Sequence, residues 1–449
     1  MFDVFRLASP GGQPLQQPPE FDASYDPHKH RKVPHPTSYG ETMTHMLKAC
    51  FGAGMLAMPN AFARLGLIFG IVGIVFLGVF ATYCIQILVI SQYQICKKWR
   101  VGYMSYPKSM RLAVQSGPPC LRWSATIFEN AVDGILIFWQ IGVCAIYLVF
   151  VSENLKQICL YAGHDLSLRV LICCLYPILV IVCLVKDLKL LAPLSTFANG
   201  CTVIGLVLIF FYLVEDDVHV DESHFALKAL TDIPIFIGIV LYALEAVGVI
   251  LALEYNMDNP ADFTGIFGLF SIGMTIIVLI YTALGVCGYL KYGMDSKASI
   301  TLNLPQDQKK SHAAKMAFTL AVFSSFPLQN FVAWQILWQN YLEKKYIGTK
   351  KEKLVDYGLR ILCATIPFVM ALIAPALGPF IGLMGSFCLS MVAILFPAVV
   401  DISVYYPDKY GPGRYKLFTD IFIIFFGIFC CCSGVYTSLL EMIEILGKD

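Results

Sequence analysis

The stretch "THMLKACFGAGMLAMPNAF", residues 44–62, decides how the chain is to be read. Both of its ends have the composition of membrane helix, yet Gly52-Ala53-Gly54 lies in the middle and Pro59 follows soon after. No water reaches a freed N–H or C=O group inside a bilayer, so irregular backbone there must be buried in protein or line a cavity. Two readings follow. The glycines form a close-packing patch between helices, or they open the backbone toward something bound.

The composition around this stretch places it in a membrane. Of 449 residues, 57% are hydrophobic and 14% charged, and the mean hydropathy is +0.69, more apolar surface than one soluble core covers. Apolar runs near 39–65, 66–95, 125–155, 168–186, 190–214, 233–257, 265–290, 313–342, 355–375, 377–404 and 415–445 are each long enough to cross about 30 Å of hydrocarbon. The expected fold is an all-α polytopic membrane protein with eleven transmembrane helices. Continuous rather than alternating apolar runs exclude a transmembrane barrel. Aromatic residues make up 13% of the chain, more than interfacial belts require, so most are expected between helices or along a cavity.

Basic residues set the orientation. Lys97, Lys98, Arg100, Lys108, Arg111 and Arg122 crowd the loop after span two, and Lys344, Lys345, Lys350, Lys351 and Lys353 the loop after span eight. The loop 215–232, "EDDVHVDESHFALKALTD", is acidic. The positive-inside rule then makes the N-terminus cytoplasmic and puts the acidic loop outside or in a lumen. Residues 1–38, rich in Pro, His and Gln, are expected to be a disordered cytoplasmic tail, without a signal peptide and able to dock a partner through Pro14, Pro18 and Pro19. Nearly all of the sixteen cysteines fall inside spans, as small apolar packers rather than metal ligands. No cofactor, metal or nucleic-acid partner is expected. An enzyme is not expected either: there is no phosphate loop or nucleophile constellation, and "GPFIGLMGSF" lies within span ten.

The order of spans repeats. Shifting the first five by about 190 residues lays them on spans six to ten, with a long connection between the second and third member each time. An odd number of spans per unit inverts the second copy. The expected organisation is a first five-helix repeat at 39–214, the acidic loop at 215–232, an inverted repeat at 233–404, and an eleventh helix with a short C-terminus at 405–449. Span six, the partner of span one, carries Gly238 and Gly248 around Glu245, so both are expected to be discontinuous. A broken helix offers N–H groups at the start of its second half and C=O groups at the end of its first. The former attract a carboxylate and the latter an ammonium group. Two facing breaks suit a zwitterion. Gly52, Ala53, Gly54 and Met55 would meet one end of it, and the carbonyls of Tyr242, Ala243 and Leu244 the other. Cys144 and Tyr147 on span three, with Phe326 and Leu328 on span eight, are the candidate side-chain pocket.

Four segments resemble the proton-coupled amino acid transporters of the amino acid/auxin permease superfamily: "HMLKACFGAGMLAMPNAF", "ENAVDGILIFWQIGVCAIYLVFVSENLKQ", "YALEAVGVILALEYNM" and "KASITLNLP". The resemblance covers about residues 38–445. It implies a leucine-transporter-type five-plus-five inverted fold and secondary active transport of small neutral amino acids with a proton as coupling ion. His45 matches the family's proton-binding histidine. The resemblance also implies a disulfide from a cysteine after span three to one after span seven; Cys159 fills the first position, but 292–312 contains no cysteine.

Other ionisable groups at membrane depth are functional candidates. Glu245 is expected to couple protons or tie the span-six break to span one. Lys48 and Asp133 are expected to form a buried clasp or cytoplasmic gate. The alternatives are sodium coupling, with Ser324 and Ser325 as the sodium site, and an amino acid sensor with little flux. Plasma membrane and endolysosomal membrane fit the topology equally.

Overall fold

The computed structural model describes residues 24–185, 188–215, 224–226, 228–244 and 247–447. These residues are predominantly helical, with no strand beyond one isolated bridge between Thr37 and Met257. In chain order the helices are α1 (Tyr39–Cys50), α2 (Met58–Leu65), α3 (Leu67–Trp99), α4 (Tyr106–Ser116), α5 (Ala125–Tyr161), α6 (Leu168–Cys183) and α7 (Leu188–Glu215). They continue with α8 (Ile233–Ala243), α9 (Val247–Asn256), α10 (Leu269–Tyr292), α11 (Lys309–Leu337), α12 (Glu343–Tyr346), α13 (Glu352–Ile373), α14 (Leu377–Met384), α15 (Phe396–Tyr405) and α16 (Tyr415–Leu446). A widened, π-helical run Gly385–Leu395 joins α14 to α15 without interruption.

Nine segments among the described residues are long and apolar enough to cross a membrane. The sequence leads one to expect eleven. The two others are α6, an apolar helix of 16 residues, and the first span, where no single helix reaches the required length because α1 stops at Cys50. The basic connection after α3, expected as loop, folds in part into α4, whose Met110, Ala113 and Val114 are buried while Arg111 pairs with Glu129 at 3.0 Å.

The outer surface shows what surrounds the protein. Ile68, Val72, Val75, Val79 and Tyr83 form an exposed apolar stripe on α3 at helical spacing, and Phe418, Phe422, Phe425, Phe429 and Tyr436 form another on α16. Water would oppose such stripes and lipid accepts them. The interior is different. The apolar window of Leu230–Asn256 is 87% buried and that of Pro412–Leu446 only 28%, so α8 and α9 run through the centre while α16 lies at the rim. Gly238 is buried in the middle of α8. A Cβ there would stand 2.4 Å from the Gly382 carbonyl oxygen, so this glycine serves backbone-to-backbone packing against α14 and not the interruption it was expected to flank.

Residues 24–38, expected to lack fixed structure, are ordered as a strap. Asp26 caps a short 3-10 turn, Pro27–His30. Arg31 then donates to the carbonyls of Tyr255 (2.5 Å), Met257 (3.0 Å) and Asp258 (3.4 Å), groups that the end of α9 leaves unpaired. Thr37 exchanges backbone bonds with Asn256 and Asp258, both at 2.8 Å. His28 meets Glu254 at 3.1 Å. Ser38 and Glu41 form a capping box that starts α1 directly after the strap. Composition concealed this because the partners are backbone carbonyls contributed by a helix more than 200 residues away. Cys159 is a free, half-buried thiol.

Arg31→Ala removes a charged donor from three carbonyls and is expected to cost about 1–3 kcal/mol. A lowered melting temperature, together with faster proteolysis near residue 31, checks it.

Candidate functional site

The site is the interruption between α1 and α2. Phe51 closes α1 by donating to Leu47 at 3.0 Å, Gly52 N–H turns back to the Cys50 carbonyl at 2.9 Å, and a 3-10 turn, Ala53–Ala57, leads into α2 with Pro59 in its first turn. Neither Gly52 nor Gly54 has a positive φ; Gly52 is extended (φ −129°), a conformation open to any residue. What requires glycine is distance. A Cβ on Gly54 would stand 2.7 Å from the Ala243 Cα and 3.2 Å from the Tyr242 ring, so the turn lies directly on the last residues of α8. At Gly52 the nearest atom to such a Cβ would be the Tyr147 hydroxyl at 3.9 Å, an ordinary contact. Ala53, Gly54, Met55, Leu56 and Ala57 are all buried.

The two helix ends that converge here share one donor. The Tyr281 hydroxyl, fully buried on α10, donates to the carbonyl of Cys50 at 2.5 Å and lies 3.2 Å from that of Ala243. These are the last carbonyls of α1 and α8, and that of Cys50 also accepts from the Gly52 N–H at 2.9 Å. Sequence reading missed Tyr281 because α10 is otherwise an unbroken apolar run, in which one tyrosine carries no signal.

Beside the interruption, Tyr147, Leu148, Val151, Leu179, Phe323 and Phe326 line a narrow apolar crevice that is closed to a water-sized sphere. Cys144 on α5 points its thiol at the Phe326 carbonyl, 3.8 Å away on α11. Pro327 lies inside α11 and has no N–H, which leaves the Phe323 carbonyl without its helical donor at the edge of the crevice. The Tyr242 ring packs at 5.3 Å on Trp139, whose buried indole N–H finds no acceptor among the described residues. The geometry brings residues 52–55, 242–244, Tyr147, Cys144 and Phe326 into one neighbourhood.

Comparison with known proteins agrees in extent and kind. Residues 35–440 match the family described as "Transmembrane amino acid transporter protein". The chain belongs to that family. It is 36% identical over 426 residues to the Drosophila melanogaster "Proton-coupled amino acid transporter-like protein pathetic", covering 95% of this chain and 89% of that one. It is 25% identical over 418 residues to the Arabidopsis thaliana "Amino acid transporter ANT1", covering 90% and 93%. Among solved structures, the inward-facing conformation of Mhp1 is similar in fold, with a TM-score of 0.59 at 12% identity over 95% of this chain and 94% of that chain. These relatives are transporters, and this chain is a multi-pass membrane protein of an amino acid transport family, not an enzyme.

The ionisable groups of this transporter are placed as follows. His45 is half-buried on α1, about 10 Å along the helix from Gly52, while Glu41, Thr44 and Lys48 on the same helix are exposed. Asp133 is buried on α5, where it accepts hydrogen bonds from Asn340 (3.2 and 3.1 Å) and from the Tyr341 hydroxyl (3.2 Å), just beyond α11. Among the described residues no ion pair joins it to Lys48. The physical reason is supply: three hydrogen bonds from neutral donors already satisfy the carboxylate, and Lys48 keeps its ammonium in the open. Ser325 donates to the Ala321 carbonyl at 2.9 Å, the back-bond of a helical serine, while Ser324 is buried beside it. Glu245 lies outside the described residues.

Gly54→Ala forces apart two backbones and is expected to cost about 1–3 kcal/mol and most of the transport activity, whereas Gly52→Ala leaves stability nearly unchanged. Tyr281→Phe, which removes the side-chain donor that reaches both carbonyls, is expected to cost about 1–3 kcal/mol. Thermal unfolding of the three purified variants reads the stabilities and proteoliposome uptake reads the transport loss, and equal losses at Gly52 and Gly54 would contradict the packing described.

Proposed function

We propose that this protein is a secondary active transporter that moves small neutral amino acids by proton symport, with alternating access around two discontinuous helices. The observation that carries the reading is the convergence of the Cys50 and Ala243 carbonyls on one point, next to the backbone of the 53–57 turn. Carbonyl ends favour an ammonium group, and N–H groups at the start of a helical turn favour a carboxylate. An α-amino acid carries both. The crevice beside them is apolar and too tight in this state for more than a small group, which favours a small apolar side chain once it opens.

In this reading α1 and α2 form one span and α8 and α9 another. With α6 counted, the nine long segments become eleven, arranged as two inverted sets of five plus α16, in the leucine-transporter manner. Gly52, Ala53, Gly54 and Met55 receive the carboxylate. The carbonyls of Tyr242, Ala243 and Leu244 receive the ammonium, and Cys144, Tyr147 and Phe326 bound the side chain. His45 takes the proton, because an imidazole titrates near neutral pH and needs only modest changes of solvation to load and release it; the name of the Drosophila relative supports proton coupling. Glu245 assists from span six. Lys48 and Asp133 serve as a gate in which Asp133 exchanges its present partners for Lys48 when the transporter changes state. The N-terminal tail, 1–38, faces the cytoplasm and docks a partner through Pro14, Pro18 and Pro19, and the membrane is the plasma membrane or that of the endolysosome.

Uptake of labelled alanine, glycine and proline into proteoliposomes tests this directly. A pH gradient alone is expected to drive uptake, and His45→Ala to abolish at least nine-tenths of it. Uptake that requires sodium would move coupling to Ser324 and Ser325, and binding without flux under either gradient would make the protein a sensor.

A further inference from the structure

Two carboxyl groups meet far from the interruption. Asp401 on α15 and Asp420 on α16 are 5% and 1% exposed, and their side chains face each other in one pocket. Ser91, fully buried on α3, donates its hydroxyl to Asp401. One carboxyl oxygen of Asp420 is buried with no protein donor. Two carboxylates facing each other in one buried pocket repel, and a bound proton relieves the repulsion and supplies the donor that the orphaned oxygen lacks.

The charged and titratable neighbours are few. Lys416 of α16 is nearby and stacks its ammonium 3.9 Å above the Tyr405 ring; Tyr83 and Cys84 of α3 and Tyr410 of the α15–α16 connection also face the pair. Two carboxylates against one ammonium leave an excess negative charge, and one bound proton cancels it. Asp420 is five residues into α16 and Asp401 four from the end of α15, about 6–8 Å from the helix ends, so the proton exchanges with water on the side of the 406–414 connection.

We infer that Asp401 and Asp420 form a proton-binding site, separate from His45, that clasps α15 and α16 onto α3 through Ser91. When the proton leaves, two like charges remain in one buried pocket and the clasp loosens. The site answers to pH on one side of the membrane, which in the proposed topology is the cytoplasmic side. It requires neither substrate nor a transported proton, so it stands or falls independently of the symport reading.

Infrared difference spectroscopy of the purified full-length protein, titrated from neutral to alkaline pH without amino acid, tests the site. The wild type is expected to show a protonated-carboxyl C=O band at neutral pH that disappears as pH rises. Asp401→Asn and Asp420→Asn each lose that band, and His45→Ala keeps it. A band of unchanged intensity in both Asn variants overturns the inference. Thermal unfolding of the wild type gives a reading that needs no variant. The native state holds a proton that the unfolded chain releases, so stability falls as pH rises. A melting temperature that does not fall from neutral to alkaline pH also overturns it, as does an undiminished fall in Asp420→Asn.

Discussion

The carbonyl oxygens of Cys50 and Ala243 terminate two helices in the interior of the protein, and a single phenolic hydroxyl, Tyr281, reaches both. A helix that stops in a protein interior without water must find donors outside its own ladder. Here the donor comes from α10, which fixes the ends of α1 and α8 against a third element. One hydroxyl serves both carbonyls, and the Gly52 N–H adds a second bond to that of Cys50.

A second tie holds the other ends of the same two chain regions. The strap before α1 gives its donors to the end of α9, through Arg31 to three carbonyls and through Thr37 to a short backbone bridge. The start of α1 and the end of α9 are thus joined, and the end of α1 and the end of α8 are joined through Tyr281. Elements connected at both ends shift together. Around them the outer helices bury less and turn apolar stripes outward, as lipid requires.

Much of the site was legible because its residue types are unusual for a membrane helix. Gly52 and Gly54 interrupt an apolar run, and any reader of that run must explain them. The explanation from conformation was incomplete: Gly54 is required by the approach of Ala243, a contact between residues nearly 190 positions apart, and not by its own φ and ψ. Asp133 was conspicuous as a buried acid, but its partners are Asn340 and Tyr341, neutral residues that look ordinary in sequence. Tyr281 and Ser91 were invisible for the same reason. A hydroxyl on an apolar helix has no meaning until the acceptor it faces is known.

The sequence by itself determined the solvent of this protein, its helical class and the stretch where regular helix stops between α1 and α2, because a bilayer allows few ways to satisfy a backbone and apolar length is a local property. It also carried the family, through four segments spread along the chain. Only the tertiary structure decided which groups satisfy the freed carbonyls, why glycine is needed at 54, that residues 24–38 form a strap, and that Asp401 and Asp420 share a pocket. Each of these depends on hydrogen bonds or contacts between segments remote in sequence, and such distances are set by how the helices pack.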